Sequence, residues 1–211
     1  MGKFKIVEPL NFRQIFYLEK FMFGHTGFIA GGCFKNIFND EKVRDIDMFF
    51  QSRAEFEKGK KIFRDLVEKY PEAWQKSYEN KKVWAVYSKE DDITIELIKS
   101  VFGTPQKIIS DFDFSITKFA YFLDTQEDEE NTVGKRKVIY HEDYFEHLHT
   151  KRLVLDDQIP FPVSTFNRSY KYRSYGYGLC KESKVKLITA IHNLSVINED
   201  ELGLSLYDGK D

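Results

Sequence analysis

The sequence predicts an α/β (α+β) protein in which helices flank a mixed sheet and a short helical unit follows. Short apolar runs bounded by turn residues, at 26–30, 83–87 and 93–98, are typical of buried strands. Residues 52–69 place apolar side chains at helical spacing among many Lys and Glu, which predicts a long amphipathic helix. Residues 135–186 are mostly helical in pattern and locally basic, with 11 Lys or Arg against 6 Asp or Glu.

The same two periodicities assign the remaining segments. Strands are expected at 45–50 and 114–123, and helices at 11–23 with Asn11 as N-cap, at 33–38, from Thr104-Pro105 onward, at 142–151 and at 164–194. Acidic, amide and Thr residues dominate 124–131, which is expected to be an exposed loop. A soft boundary near residue 130 separates a mixed catalytic unit, 1–130, from a small helical unit, 131–211.

Composition excludes several classes of protein. A hydrophobic share of 42% and a charged share of 31% are ordinary for a folded globular chain. The net charge of -2 argues against a uniformly basic nucleic-acid coat, although a local basic face remains compatible with it. Cys33 and Cys180 lie far apart, so neither a zinc site nor a disulfide framework is readable. Without a long apolar run or a signal-peptide pattern, a cytoplasmic protein with no membrane partner is expected.

Two aspartates lie one residue apart on the strand expected at 45–50. Period-2 geometry directs the side chains of Asp45 and Asp47 to one face, and those of Ile46 and Met48 to the opposite, core side. Adjacent carboxylates repel unless positive charge lies between them, and Mg²⁺ (or Mn²⁺) prefers oxygen ligands. Two such cations activate an attacking hydroxyl and neutralise a leaving pyrophosphate. Surface strands also produce Asp-x-Asp by chance, so the pair needs context.

Gly31-Gly32 supplies that context, because it follows an apolar strand and precedes Asp45 by twelve intervening residues. A Gly-Gly turn lets backbone N–H groups approach phosphates closely, and a helix N-terminus favours negative charge. Taken alone, Gly-Gly is also a plain strand-to-helix turn. Strand, Gly-Gly, short helix and Asp-x-Asp strand in this order favour a phosphate site.

A third carboxylate would complete the metal site. Glu96 lies mid-strand on the same face as Thr94 and Ile98, among branched apolar residues, so it needs either solvent or a partner. An outward-facing strand Glu is the alternative reading. Asp113, just before the apolar run at 114–123, is the competing third carboxylate.

The quoted motifs resemble the head of the DNA polymerase β-like nucleotidyltransferase superfamily. Gly-Phe-Ile-Ala-Gly-Gly-Cys-Phe-Lys-Asn at 27–36 and Arg-Asp-Ile-Asp-Met-Phe at 44–49 are similar to motifs of bacterial-type CCA-adding enzymes and poly(A) polymerases. Residues 113–121 are similar to a strand of that family, and residues 166–173 to its Arg-rich nucleotide-reading helix. The likeness is useful over 26–121. Since only a short helical unit follows, minimal stand-alone forms, including phage-encoded ones, are the better comparison.

The resemblance implies roles for particular residues. Gly31 and Gly32 are expected to cradle the triphosphate, and Asp45 and Asp47 to hold the metals. Lys35 stands where the family has Arg, so it would neutralise phosphate as a point charge without the bidentate fork.

A second group of candidates is expected to contact the nucleotide. Arg168 and Lys171 lie one helical turn apart and can face one ligand, a base or a phosphate. A solvated basic helix face is the alternative for both. Asp113 is assigned to nucleotide binding as well as being the rival of Glu96 for metal.

The sequence therefore predicts an enzyme, a nucleotidyltransferase with a two-metal mechanism that moves an NMP from an NTP to an acceptor hydroxyl. An RNA 3′ end resembling that of tRNA is the expected acceptor. A protein hydroxyl, modified by AMPylation as toxin-like enzymes do, is one alternative. A catalytically silent nucleotide- or RNA-binding regulatory module is another. Expected partners are thus an NTP and an RNA or protein acceptor, with room for an oligomeric partner.

Overall fold

A computed structural model describes residues 4–128 and 131–194, and an eight-stranded mixed sheet flanked by helices confirms the predicted α/β class. The order across the sheet is β1-β8-β7-β2-β3-β6-β5-β4. Its strands are β1 (Phe4–Val7), β2 (Phe28–Ala30), β3 (Asp45–Phe49), β4 (Trp74–Glu79), β5 (Val83–Ser88), β6 (Ile93–Ile98), β7 (Phe119–Asp128) and β8 (Asn131–His141).

Helices and a small second sheet complete the described residues. The α-helices are α1 (Cys33–Phe38), α2 (Arg53–Lys69), α3 (Pro105–Ser110), α4 (Tyr144–His149), α5 (Pro162–Ser174) and α6 (Lys181–His192). The second sheet pairs β9 (Arg152–Leu153) and β10 (Gly178–Leu179) in parallel. Over residues 4–128 and 131–194, the helices lack the length and apolar character needed to span a bilayer.

β3 lies where strand pairing changes direction. It pairs antiparallel with β2 and parallel with β6. The connection to β6 runs through α2, β4 and β5, in keeping with the long crossover that parallel neighbours require. Ile46 and Met48 on β3, and Ile95 and Leu97 on β6, are fully buried. These anchors fix which side chains face the opposite side of both strands.

Side-chain caps begin two of the helices, and the one at Thr104 confirms a predicted start. The Ser52 hydroxyl accepts a hydrogen bond from the Glu55 N–H and caps α2. Thr104 caps α3 in the same way, with Pro105 at the first helical position.

The segment at 11–23 differs from the α-helix expected there. It forms a 3-10 helix over Arg13–Met22, and Asn11 ends a separate 3-10 turn instead of capping. Ile15, Leu18 and Phe21 are buried and recur every three residues. A helix of three residues per turn brings that spacing onto one face, which explains the difference.

The apolar run at 114–123 is only partly a strand. β7 begins at Phe119, and Ser115–Thr117 form a 3-10 turn. The Thr117 hydroxyl donates a 2.8 Å hydrogen bond to the Phe114 carbonyl, a local bond that competes with strand pairing.

The expected exposed loop at 124–131 is wrong for most of its length. β7 continues to Asp128 and pairs antiparallel with β8, which begins at Asn131. Asp124 and Lys137 form an ion pair across this hairpin. A run of polar residues is compatible with a loop and with an antiparallel hairpin, so composition alone does not distinguish the two.

β8 also corrects the expectation of helix directly after residue 135. Val138 and Ile139 on β8 are buried in the large sheet. Three charged residues precede four less polar ones here, so no period-2 alternation is visible in the sequence. The division of the chain near residue 130 stays a prediction.

The single helix expected at 164–194 is two helices. α5 ends at Ser174, and Gly176 adopts a φ of 85°, a left-handed conformation that stops a helix. β10 follows, and α6 then runs back beside α5. The helix expected at 142–151 forms over a shorter range, as α4.

Candidate active site

The two strand aspartates share a face, as period-2 geometry predicts. Asp45 is exposed and Asp47 is half-buried, whereas Ile46 and Met48 between and beyond them have no exposure. β3 therefore presents two carboxylates on one side while it supplies core packing on the other.

Glu96 lies beside Asp47. The two residues are Cα partners in the parallel pair of β3 and β6, so their side chains leave the sheet on the same face. Glu96 is only 2% exposed, and its carboxylate accepts a hydrogen bond from the Tyr78 hydroxyl on β4. Tyr78 reaches Glu96 across Ala85, the residue that separates them in the β4–β5–β6 register. A buried carboxylate thus joins the aspartate face.

Asp113, the rival third carboxylate, belongs to a different set of contacts. One of its oxygens accepts a 2.8 Å hydrogen bond from the Phe114 N–H. The other lies 3.4 Å from Nε of Arg168 on α5. Asp113 is buried, so this ion pair helps to position the guanidinium of a half-buried arginine.

Tyr172 completes the α5 side of the site. It lies one helical turn from Arg168, and the two side chains are hydrogen-bonded to each other. The tyrosine hydroxyl lies over the Gly-Gly turn, 3.4 Å from the point where a Cβ on Gly32 would stand. Burial raises the pKa of Tyr172 well above its usual range, and the carboxylates of Asp113 and Asp47 act in the same direction. Its hydroxyl is therefore a neutral donor between the turn and the carboxylates.

The Gly-Gly turn is shaped by Gly31, whose φ is 102°, a backbone conformation that favours glycine. The Gly31 N–H donates to the Phe119 carbonyl at 3.0 Å, so this donor serves the sheet. Gly32 is the N-cap residue of α1, and its carbonyl accepts a hydrogen bond from the Lys35 N–H. The turn therefore brings backbone close to Tyr172 without an intervening side chain.

Lys35 and Lys171 take contrasting positions. Lys35 is buried, and its ammonium lies 2.7 Å from the Glu41 carboxylate and 5.0 Å from the ring centroid of Tyr175. A phosphate would have to compete with Glu41 for this charge. Lys171 is exposed on α5, one residue before Tyr172.

Cys33, directly after the glycines, is unsuited to nucleophilic chemistry. The side chain is buried, and burial together with the Asp47 carboxylate raises the pKa of the thiol well above its usual range. The thiol stays protonated and acts as a small packing residue.

The carboxylates are the ligand type that a divalent cation prefers, but they are not arranged as a complete ligand set. Asp45 and Asp47 offer oxygen ligands from one face, as Mg²⁺ and Mn²⁺ require. Within residues 4–128 and 131–194, however, no three Asp, Glu, His or Cys side chains are gathered as a ready ligand set. Glu96 would need to turn from Tyr78 towards Asp47 to become the third ligand. The donor types fit, and two of the three carboxylates are directed outward from the strand.

Sequence reasoning missed the parts played by Tyr172 and Tyr78. No role for Tyr172 follows from the sequence alone, although its i, i+4 spacing from Arg168 points to it. Tyr78 lies on a strand, β4, whose polar sequence gave no signal of its partner. The structure brings Gly32, Asp47, Asp113 and Arg168 around Tyr172.

Comparison with known families places this architecture. The family described as Gabija anti-defense 2 family protein matches residues 8–151, more than half of the chain. A curated relative, Gabija anti-defense 2 of Bacillus phage SPbetaL7, is 23% identical over 175 residues. The alignment covers 82% of this chain and 39% of the relative, so the chain spans about two fifths of the relative's length.

Solved structures with a similar fold include CCA-adding enzymes. One in complex with CTP gives a TM-score of 0.56 at 14% identity, covering 91% of this chain and 47% of that one. A Thermotoga maritima CCA-adding enzyme in complex with tRNA gives 0.54 at 16% identity, covering 91% and 46%. A tRNA nucleotidyltransferase with a primer tRNA and an ATP analogue gives 0.51 at 15% identity, covering 83% and 49%. At such identities the likeness establishes a nucleotidyltransferase-like fold.

Proposed function

The chain belongs to the Gabija anti-defense 2 family, and we propose that it is a metal-dependent nucleotidyltransferase. It moves an NMP from an NTP to an acceptor hydroxyl and releases pyrophosphate. The observation that carries this proposal is the placement of Glu96 as the parallel-strand partner of Asp47, with Asp45 on the same face. Three carboxylates at adjacent positions of two central strands are expensive to keep together without a cation.

The carboxylates have distinct assignments. Asp45 and Asp47 would hold Mg²⁺ or Mn²⁺, and Glu96, which here accepts a hydrogen bond from Tyr78, would be the third carboxylate of the site. When bound, the cations lower the pKa of the hydroxyl and neutralise the pyrophosphate. Buried anchors on both strands keep the carboxylate backbone positions fixed.

The opposite side of the site binds the nucleotide. Arg168, oriented by Asp113, contacts the base or a phosphate, and the bare backbone of Gly31 and Gly32 permits close approach of the triphosphate. The N–H of Gly31 donates to β7 and is not available to the phosphates, so Gly31 contributes only the backbone conformation of the turn.

The two lysines take secondary parts in this proposal. Lys35 adds positive charge behind the turn, weakened by its pairing with Glu41. Lys171 lies on the exposed side of α5, where it can meet a phosphate at the edge of the site.

An RNA 3′ end is the proposed acceptor. Arg168, Lys171 and Arg173 make α5 basic, and the similar structures of known CCA-adding enzymes include complexes with tRNA. A protein hydroxyl is the second candidate, because the family is named for acting against a defence and such a target can be a protein. A catalytically silent module that only binds nucleotide or RNA is the contrary case.

The decisive experiment incubates the chain with each α-labelled NTP, Mg²⁺ or Mn²⁺, and either total RNA or cell extract. We expect label on RNA, and its loss by about 10³-fold or more when Asp45→Ala and Asp47→Ala are combined. Glu57→Ala with Glu68→Ala removes the same charge from the exposed surface of α2 and should leave transfer intact.

The outcomes separate the candidates. Transfer to protein instead of RNA selects the second acceptor. Transfer that survives in the Asp45/Asp47 double variant contradicts the site. Nucleotide binding without transfer under every condition selects the silent module.

A further inference from the structure

A groove between α5 and α6 has one aromatic wall and one aliphatic wall. It encloses about 290 Å³. Tyr177 and Leu187 are the buried residues at its base, whereas Tyr170 on α5 is 61% exposed and Ile188 on α6 is 68% exposed. Large apolar surfaces that face solvent across a groove indicate a ligand with apolar faces of its own.

The rim of the groove is positively charged. Among the described residues of the lining, Arg173 and Lys184 carry charge, and both are exposed. Lys171 adds a further cation to the exposed surface of α5. A ligand that complements this surface carries negative charge together with apolar faces, which is the chemistry of a single nucleotide strand.

The aromatic wall is suited to stacking. The rings of Phe166 and Tyr170 lie edge to face with centroids 5.1 Å apart, so the contact restrains their mutual orientation. More than half of Tyr170 is nevertheless open to solvent. A base can stack on such a ring while an aliphatic residue covers its other face. Tyr170 and Ile188 can therefore hold one base between them.

The size of the groove favours a nucleotide over a peptide helix. One turn of an α-helix, about 10 Å wide and 5.4 Å long, occupies about 400 Å³. Pockets for small organic ligands begin at about 300 Å³. A groove of about 290 Å³ therefore suits one base with its ribose.

We propose, resting on the RNA acceptor proposed above, that this groove binds one base of the single-stranded acceptor upstream of its reacting 3′ end. The base stacks on Tyr170, and the flanking phosphates meet Arg173 and Lys184. Arg168 projects from the opposite side of α5, since two residues of a helix turn about 200°. The helix is about 10 Å across and stacked nucleotides rise about 3.4 Å, so the bound base lies at least about three nucleotides from the reacting end.

Binding of a short fluorescein-labelled single-stranded RNA tests the stacking contact. The full chain with Asp45→Ala and Asp47→Ala is used, so that binding is measured without transfer. Tyr170→Ala and Tyr170→Leu should each weaken binding about tenfold or more, because neither new side chain stacks on a base. Tyr170→Phe keeps the ring and should bind as the starting chain does. Tyr70→Ala removes a tyrosine of similar exposure at the end of α2 and should have no effect.

An abasic nucleotide scanned along the same RNA locates the bound base. We expect it to weaken binding about tenfold at one position, at least about three nucleotides from the 3′ end. In the Tyr170→Ala chain that position should no longer matter, because the partner of the missing base is already gone.

Salt dependence tests the phosphate contacts. Arg173→Gln with Lys184→Gln should reduce the slope of log K against log salt concentration by about 1.4, which is about 0.7 for each phosphate. Lys58→Gln with Lys61→Gln removes the same charge from the exposed surface of α2 and should leave the slope unchanged.

Several results would overturn the proposal. Equal affinity of the Tyr170→Ala and Tyr70→Ala chains, or no RNA binding by any form, contradicts it. Binding retained in Tyr170→Leu would mean apolar packing in place of stacking. Displacement of the RNA by polyglutamate at equal charge would indicate an acidic protein as the occupant. RNA binding that depends on Tyr170 in a chain that transfers no NMP would keep the groove and reject the proposed chemistry alone.

Discussion

The two sides of the candidate site are built in different ways. On the strand side, Asp45, Asp47 and Glu96 project from strands whose other face is fully buried core. On the helix side, Arg168 and Tyr172 project from α5. Two contacts hold α5 at the site: the ion pair of Arg168 with Asp113, and the ring of Tyr172, whose centroid lies 5.4 Å from that of Phe114. Functional groups and packing groups are separate residues on the strands, whereas Tyr172 is both.

This difference predicts how substitutions behave. A carboxylate on the strand side can be changed with little effect on folding, because its backbone position is held by other residues. A change at Tyr172 alters packing and the site together.

The strand side should lose chemistry without losing stability. Glu96→Gln keeps an oxygen that can accept the Tyr78 hydroxyl, so the buried contact survives while the charge is removed. We expect transfer to fall about 10²- to 10³-fold, since a metal ligand is worth several kcal/mol, with the melting temperature little changed. Single-turnover rates measure the transfer, and thermal melts measure the stability.

Asp113→Asn serves as the comparison for Glu96. It should weaken NTP binding through the loosened Arg168 and retain more of the single-turnover rate at saturating NTP. If Asp113→Asn instead abolishes the rate and Glu96→Gln does not, the assignment of the third carboxylate is reversed.

The helix side should lose stability when Tyr172 is truncated. Tyr172→Ala removes a buried ring, and we expect the free energy of unfolding to fall by about 3–5 kcal/mol, as for other large aromatic truncations. Tyr172→Phe keeps the ring and removes only the hydroxyl near Gly32. Denaturant unfolding separates them: equal losses in both variants would mean that the hydroxyl, not the ring, holds α5.

The residues of the strand side can be located from the sequence, whereas the contacts of the helix side cannot. Asp45, Asp47 and Glu96 could be located because period-2 alternation fixes a face before any folding is known. The contact of Tyr172 with Gly32 joins residues 140 positions apart, and no local pattern encodes it. The β7–β8 hairpin could not be predicted for a related reason. Much of its sequence is polar, and its buried residues do not alternate with exposed ones along the strand. The roles assigned to the site residues remain predictions until transfer is measured.

His25, just before β2, offers a pH test of the packing between this segment and α2, where its ring lies 5.6 Å from that of Phe63. Burial lowers its pKa from 6.5 to about 4; its Nδ1 accepts from the Gly27 N–H at 3.0 Å, and its Nε2 lies 3.1 Å from the Phe21 carbonyl. Between pH 6.5 and 4, His25 is therefore protonated in the unfolded chain but not in the folded chain. Stability is full above pH 6.5 and falls by roughly 3 kcal/mol towards pH 4.

His25→Asn isolates this effect, because its side-chain oxygen can accept from Gly27 without titrating. Unfolding free energies measured from pH 7 to 4 should drop more steeply in the wild type than in this variant. Parallel curves would show that other groups dominate the pH dependence.

The smallest effect is expected at the turn between the two sides. Gly31→Ala places a Cβ on a backbone with φ of 102° and should cost about 1–3 kcal/mol. Gly178→Ala is the matched glycine change: its Cβ meets nothing within 4 Å, and the unfolding free energy should scarcely move. A Gly31→Ala chain as stable as Gly178→Ala would show that the turn tolerates other conformations.

The division of labour along β3 has a practical consequence. Ile46 and Met48 keep the strand in place whatever stands at 45 and 47. We therefore expect the variant with both aspartates replaced by alanine to keep its fold, to lose the proposed transfer and to repel polyanions less. Under the proposed function, we expect this variant to bind the acceptor hydroxyl's carrier without modifying and releasing it. The acceptor can then be recovered from a cell extract and identified by mass or by sequencing.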